Sequence, residues 1–246
     1  MSDNRKHCHR SIFNRNIMCD FLARLCNEET LFNWDINIST DCFSAVIFDV
    51  DGTFYYLLPV KILLLIEMVG HLILHPSFIK EARIINAFRY LRKHECWKKR
   101  SLQKQVQFVA EKSGLGYDDC YNLIKHWLFD KPAEFIPLFK NEEVLRAFSM
   151  YKKKGVKTVV YSDYPPEKKL SALNIFPDYV FYHGDGIITE MKPSSRSMEQ
   201  IKNRIGSFSS SLLYFGDSDK NDGMSACLAG ANYINIHHIQ KMLNVH

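Results

Sequence analysis

Apolar positions along the chain fall into two patterns, and their order predicts the architecture. Short continuous apolar runs bounded by polar loops occur at Ala45–Phe48, in the β-branched run ending at Tyr161, and at Tyr179–Tyr182, Leu212–Phe215 and Tyr233–Ile236. Runs of about four to eight apolar residues closed in this way fit strands buried on both faces. Between and after them, helical patterns are expected at Glu142–Lys153, from about Glu167, at about Ser195–Ile205 and at about Gly223–Ala229. The first carries lysines in its last turn, where they suit the helix dipole, and Gly155 closes it. Alternation of strand and helix predicts an α/β fold, a doubly wound parallel sheet covered by helices on both faces.

One segment breaks the alternation. Residues 57–140 far exceed the roughly ten to fifteen residues that a crossover helix needs. Inside it Ile84, Phe88 and Leu91 fall at i, i+4, i+7, as do Leu102, Val106 and Val109, and Tyr117, Tyr121, Ile124 and Leu128 continue the helical spacing. The segment reads as a smaller all-helical insert, which divides the chain into an extension at 1–42, a core at 43–56 and 141–246, and the insert at 57–140. Leu57–His75 is the most apolar stretch, but Pro59, Lys61, Glu67 and His71 interrupt it, and charge near a bilayer centre is costly. A buried helix is therefore expected there rather than a membrane span. In the extension, Ile12, Phe13, Ile17, Phe21 and Leu25 beside Arg5, Lys6, Arg10 and Arg15 suit a helix packed on the core, with an organellar presequence as the alternative.

The 246 residues, 46% of them hydrophobic, suffice for one α/β domain with a smaller insert. Seven cysteines form no C-x-x-C pair and are odd in number, so reduced thiols and a cytoplasmic location are expected. The basic start is not followed by an apolar core and a cleavage site, so no export signal is expected. His7-Cys8-His9 reads as a polar terminus rather than a metal site. The insert holds fourteen Lys and Arg against eight Asp and Glu, while the whole chain carries +5, so the insert contains all of the excess. Positive charge there would draw in an anionic substrate, or it is a solvated face, since Arg92, Lys93, Lys98, Lys99 and Arg100 cannot share one side of a helix. No nucleic-acid recognition motif accompanies the charge, and nucleic-acid binding is not expected.

The candidate chemistry sits where apolar runs end. After Ala45–Phe48 come Asp49-Val50-Asp51-Gly52-Thr53, two carboxylates one residue apart with a glycine that allows a sharp exit. Carboxyl ends of strands in open α/β sheets are where ligands bind. Two acids so close need a shared proton or a cation, and a hard divalent ion with oxygen ligands, Mg²⁺, suits them. An Asp-Gly turn is the plain alternative. Further along, a strand ends in Ser162-Asp163, a lysine precedes a proline at Lys192-Pro193, and a strand ends in Gly216-Asp217 with Asp222 five positions later. Alone, Ser162 would be a helix cap and Lys192 a surface lysine. Together with the acid pair they make one site for a phosphoryl group and a metal.

This set, Asp49-x-Asp51-Gly-Thr, Ser162, Lys192-Pro and Gly216-Asp217-x-x-x-x-Asp222, resembles the four motifs of the haloacid dehalogenase superfamily, most of whose members are phosphatases. The resemblance covers roughly Phe43 to His237. It implies a helical cap in the insert and a Mg²⁺-dependent phosphatase acting on a small phosphorylated metabolite. Asp49 would be the nucleophile that carries the phosphoryl group. Asp51 would be the general acid and base, a second acid absent from members that cleave carbon–halogen bonds. Ser162 and Lys192 would bind phosphoryl oxygens. The carboxylates of Asp49 and Asp217 and the backbone carbonyl of Asp51 would hold Mg²⁺, and Asp222 would orient Lys192 or a metal-bound water. Asp163 and Asp219 either tune the site or are solvated, with solvation the expectation, and Phe54, Tyr55 and Tyr56 either line the pocket or pack in the core. A phosphomutase shares the four motifs. A non-catalytic phosphate-binding or membrane-associated protein on the same scaffold is the rival of another class, and membrane association is not the expected outcome.

Overall fold

The computed structural model describes residues 43–207 and 211–237. The extension at 1–42, with its expected helix and His7-Cys8-His9, lies outside the described residues. Among the described residues, β1 (Ala45–Phe48), β2 (Lys157–Ser162), β3 (Tyr179–Tyr182), β4 (Leu212–Gly216) and β5 (Asn232–Asn235) form one sheet. All four pairings are parallel, in the order β3-β2-β1-β4-β5. β1 lies between β2 and β4, with Ala45 opposite Lys157 on one side and Leu212 on the other. A strand in that position is covered on both faces, which is why its four residues are all apolar and fully buried.

Strand periodicity sends alternate side chains into two layers. Val46 and Phe48 join Val144, Phe148 and Tyr151 of α6 (Glu142–Lys153) and Leu170 and Leu173 of α7 (Glu167–Leu173). Ala45 and Ile47 join Met198, Ile201 and Ile205 of α8 (Ser195–Ile205) and Ala226 and Ala229 of α9 (Met224–Ala229). The sheet is therefore doubly wound. Each of the buried Val, Leu, Ile, Phe and Met side chains among them contributes roughly 1.5–3 kcal/mol by leaving water. The chain runs outward from β1 through β2 to β3 and then returns to β4, so the order reverses between β1 and β4 and leaves a crevice at their carboxyl ends.

Helices fill the stretch between β1 and β2: α1 (Leu57–Leu74), α2 (Phe78–Leu91), α3 (Glu95–Lys98), α4 (Leu102–Ser113) and α5 (Tyr117–Ile124), then a π-helical turn at Lys125–Asp130 and two 3₁₀ turns. Ser101 caps α4 by accepting the Lys104 N–H. Ile84, Phe88, Val106, Val109, Cys120, Ile124 and Phe129 share one apolar cluster. Tyr56 N–H donates to Phe139 O and Asn141 N–H to Phe54 O, both at 2.8 Å, which ties the two ends of the helical stretch together. Cys96, Cys120 and Cys227 are free thiols, and the other four cysteines lie outside the described residues.

Two expectations are overturned here. The helix expected to be buried at Leu57–His75 is not: Val60 is its buried residue, while Leu58, Leu65, Ile66 and Ile73 are each more than 60% exposed. Apolar composition all round α1 does not tell how many neighbours it has. Arg92, read with its neighbours as part of a solvated face, is 3% exposed and lies over the rings of Phe88 and Tyr164.

Candidate active site

Asp49 follows β1 and extends its ladder, its N–H donating to Phe215 O of β4 at 2.9 Å. The residue is 6% exposed. One carboxylate oxygen accepts Thr53 Oγ1–H at 3.1 Å and the other accepts Lys192 Nζ at 2.5 Å. Lys192 also donates to Asp222 Oδ1 at 2.8 Å, and its ammonium lies over the rings of Tyr161 and Tyr214. Asp222 is held in turn by Tyr214 Oη–H at 3.0 Å and Ser218 N–H at 3.3 Å. Asp222 comes from a π-helical turn, Asp219–Gly223, that returns over the end of β4. Gly216 is required there, because a Cβ on it would stand 2.4 Å from the Asp222 Cβ.

Asp217 completes an acidic group. Oxygens from Asp49, Asp217 and Asp222 all lie within 4.8 Å of one another. Gly52 makes this approach possible: its φ is +99°, and a Cβ would fall 2.1 Å from Asp217 Oδ2. Burial pushes the Asp49 carboxyl well above its ordinary value, with Asp222 and Asp217 adding to the push and Lys192 opposing it. Burial and Asp222 raise Asp217 to about 6. Lys192 goes the other way from what burial alone would do, held well above its ordinary value by Asp222 and Asp49. Three carboxylates around one ammonium leave negative charge over, and all the donors are oxygens. Such a set fits a hard cation.

The carboxylate of Asp51 is turned elsewhere. It accepts Lys169 Nζ at 2.5 Å and the Tyr55 hydroxyl. Burial would raise the Asp51 carboxyl, but Lys169 and Tyr55 outweigh it and hold it below its ordinary value. The Phe48–Val160 register puts Ser162 at the same end of the sheet as Asp49, buried, with Oγ accepting the Tyr164 N–H at 3.1 Å. Asp163 is not solvated as expected. It is half-buried, accepts the Lys192 N–H at 2.9 Å, and its carbonyl accepts Arg92 Nη2–H at 2.6 Å. Asp219 is exposed and accepts Asn235 Nδ2–H at 2.7 Å. Phe54 and Tyr55 are buried, Phe54 against the Phe48 ring, and Tyr56 is exposed.

Sequence reasoning missed Lys169 and the hydrogen-bonding role of Tyr55. A signal for Lys169 existed: it lies four residues before the buried Leu173, on the apolar side of α7, where a lysine needs a partner.

A family model described as haloacid dehalogenase-like hydrolase matches residues 43–230. Comparison with curated proteins gives no significant match. Among solved structures, the chain is similar in fold to a 2-haloacid dehalogenase from Pseudomonas syringae pv. Tomato DC3000, with 17% identity, 78% of this chain and 86% of that chain covered, and a TM-score of 0.56. A HAD phosphatase from Thermococcus onnurineus gives 18% identity, coverage of 82% and 98%, and a TM-score of 0.51. Four ordered motifs, the parallel sheet that carries them and a family match over most of the length agree: the chain belongs to the haloacid dehalogenase-like hydrolases.

Proposed function

We propose that this hydrolase is a Mg²⁺-dependent phosphatase that cleaves a small phosphorylated metabolite through an aspartyl phosphate on Asp49. The observation that carries this reading is the bridge from Lys192 to Asp49 and Asp222, with an Asp217 oxygen within 4.8 Å of both acids. Asp49 attacks phosphorus and splits one hard displacement into two. Asp49, Asp217 and the Asp51 backbone carbonyl would hold Mg²⁺, which supplies neutralisation of charge on the transferred group. Lys192 and Ser162 bind phosphoryl oxygens, and the bond to Asp222 fixes the lysine's direction.

Asp51 gives a proton to the leaving oxygen and later takes one from water. Its pairing with Lys169 favours the carboxylate, the form that the second step needs. Lys169 and the Tyr55 hydroxyl both bond Oδ1, so the proton given in the first step is carried on Oδ2. The presence of this second acid supports phosphoryl transfer over carbon–halogen cleavage.

The test is hydrolysis of p-nitrophenyl phosphate by the purified protein. Activity is expected only with a divalent ion, and Asp49→Asn should reduce it to background because an amide is no nucleophile. Undiminished activity in excess chelator, or in Asp49→Asn, would overturn the mechanism. Release of inorganic phosphate from a metabolite panel separates a phosphatase from a phosphomutase.

A further inference from the structure

We propose that the exposed face of α1 docks the protein on an anionic lipid surface, with the helix lying in the plane of the interface. This does not depend on the phosphatase reading. α1 spans 18 residues, about 27 Å of helix, with a mean hydropathy of 2.1. Its inner side, Leu64, Met68 and Leu72, packs on Phe78, Ile85 and Trp127. Its outer side carries Leu58, Ile62, Leu65, Ile66, Val69 and Ile73, each between 47% and 73% exposed. At about 100° per residue these six fall within an arc of about 100°. Single exposed apolar side chains are ordinary, but a continuous stripe along about four turns marks a surface that meets something.

That stripe does not cross a bilayer. β1 precedes α1 and β2 follows it, yet Ala45–Phe48 pair directly with Lys157–Val160. The two strands must lie on the same side of any membrane, which requires an even number of crossings between them. Among the described residues α1 is the one helix long and apolar enough to span. An in-plane position satisfies both the apolar face and the sheet.

Charge selects the occupant. The one acid on α1, Glu67, lies about 150° from the centre of the stripe and pairs with Lys131 at 3.0 Å. Lys61 on α1 and Lys80 in the first turn of α2 are exposed, Lys80 with Glu81 beside it, and neither lysine makes an ion pair among the described residues. The helical stretch 57–140 has six more Lys and Arg than Asp and Glu. A second copy would bring like charge against like, whereas acidic headgroups complement it while the lysine stems reach along the apolar surface.

Flotation of the full chain with lipid vesicles tests this. The protein should float with vesicles containing phosphatidylglycerol, less with pure phosphatidylcholine, and less again in high salt. The triple variant Ile62→Glu, Leu65→Glu, Val69→Glu should lower partitioning about tenfold or more. Leu65→Gln alone should weaken it in the same direction. These side chains are exposed, so the circular dichroism melt of the single variant should match the parent. A parent protein that stays unbound with both vesicle types would overturn the proposal, as would undiminished binding by both variants, which would put the lipid contact elsewhere. Light scattering that shows a dimer dissolved by the triple variant, without lipid binding by the parent, would assign the face to a second copy instead.

Discussion

Asp49 and Asp51 stand one residue apart and live in opposite environments. Asp49 is raised by burial among other acids, whereas Asp51 is held low by Lys169 and the Tyr55 hydroxyl. A chemical asymmetry follows under the proposed mechanism. A nitrophenolate departs without a proton, so Asp51→Asn should leave formation of the aspartyl phosphate from an aryl phosphate largely intact. Breakdown still needs a base to deprotonate water. Rapid-quench kinetics should therefore show a burst of about one nitrophenol per active site, with steady turnover lowered by roughly 10²–10⁴-fold, the usual contribution of general acid–base catalysis. Intact mass should show the trapped phosphate. Parental turnover without trapped phosphate would remove Asp51 from this role. The carboxylates, Ser162 and Lys192 stand out in the sequence because each follows an apolar run or precedes a proline. Lys169 does not, because its partner is 118 positions away and a lysine in a helix normally faces solvent.

At the scale of elements, the same distinction between local and distant determinants recurs. Spacing at Ile84, Phe88 and Leu91 and at Leu102, Val106 and Val109 marks helices in the sequence, because amphipathic periodicity is a local property. How these helices meet the sheet is not local. Arg92 follows α2 and donates to Gln105 Oε1 and to the Asp163 carbonyl, both at 2.6 Å, so it joins the helical stretch to the loop after β2 across 71 positions. Nothing in the Arg92–Arg100 run separates this arginine from its solvated neighbours, since burial is decided by packing that periodicity does not report. Arg92→Ala would leave two acceptors without their donor and remove the aliphatic stem from its ring contacts. A loss of roughly 2–4 kcal/mol is expected. For a domain of this size that lowers Tm by about 4–16 °C. Lys93→Ala, at an exposed neighbour, should change Tm little, and equal effects of the two substitutions would contradict the assigned contacts.

Across the whole molecule, the order of strands brings acids from distant parts of the sequence to one crevice, and this makes stability depend on pH and on metal together. The parallel alternation is readable because strand runs and helical spacings are local, and it puts the strand-end acids at one edge, but which strands flank β1 and bring Asp217 and Asp222 beside Asp49 is not a local property. The folded value of Asp217, about 6, lies above its ordinary 3.8, and Asp49 is raised too. Such groups bind protons more tightly folded than unfolded, so in chelator their contribution is fully present below about 3.8 and is lost as pH rises through the folded value. Asp51 acts oppositely, adding stability above 3.8 that is lost as pH falls through its lowered value. Between pH 5 and 7 the raised acids set the slope, and their contribution should make metal-free Tm fall as pH rises. Mg²⁺ needs the ionised carboxylates, so its stabilisation should grow over the same interval. At a concentration about 100 times Kd it would reach about 2.7 kcal/mol, or roughly 5–11 °C in Tm. Thermal melts with and without Mg²⁺ at pH 5 and pH 7 should show the larger shift at pH 7, and Asp217→Ala should shrink it. A shift that is equal at the two pH values would mean that these acids do not hold the ion.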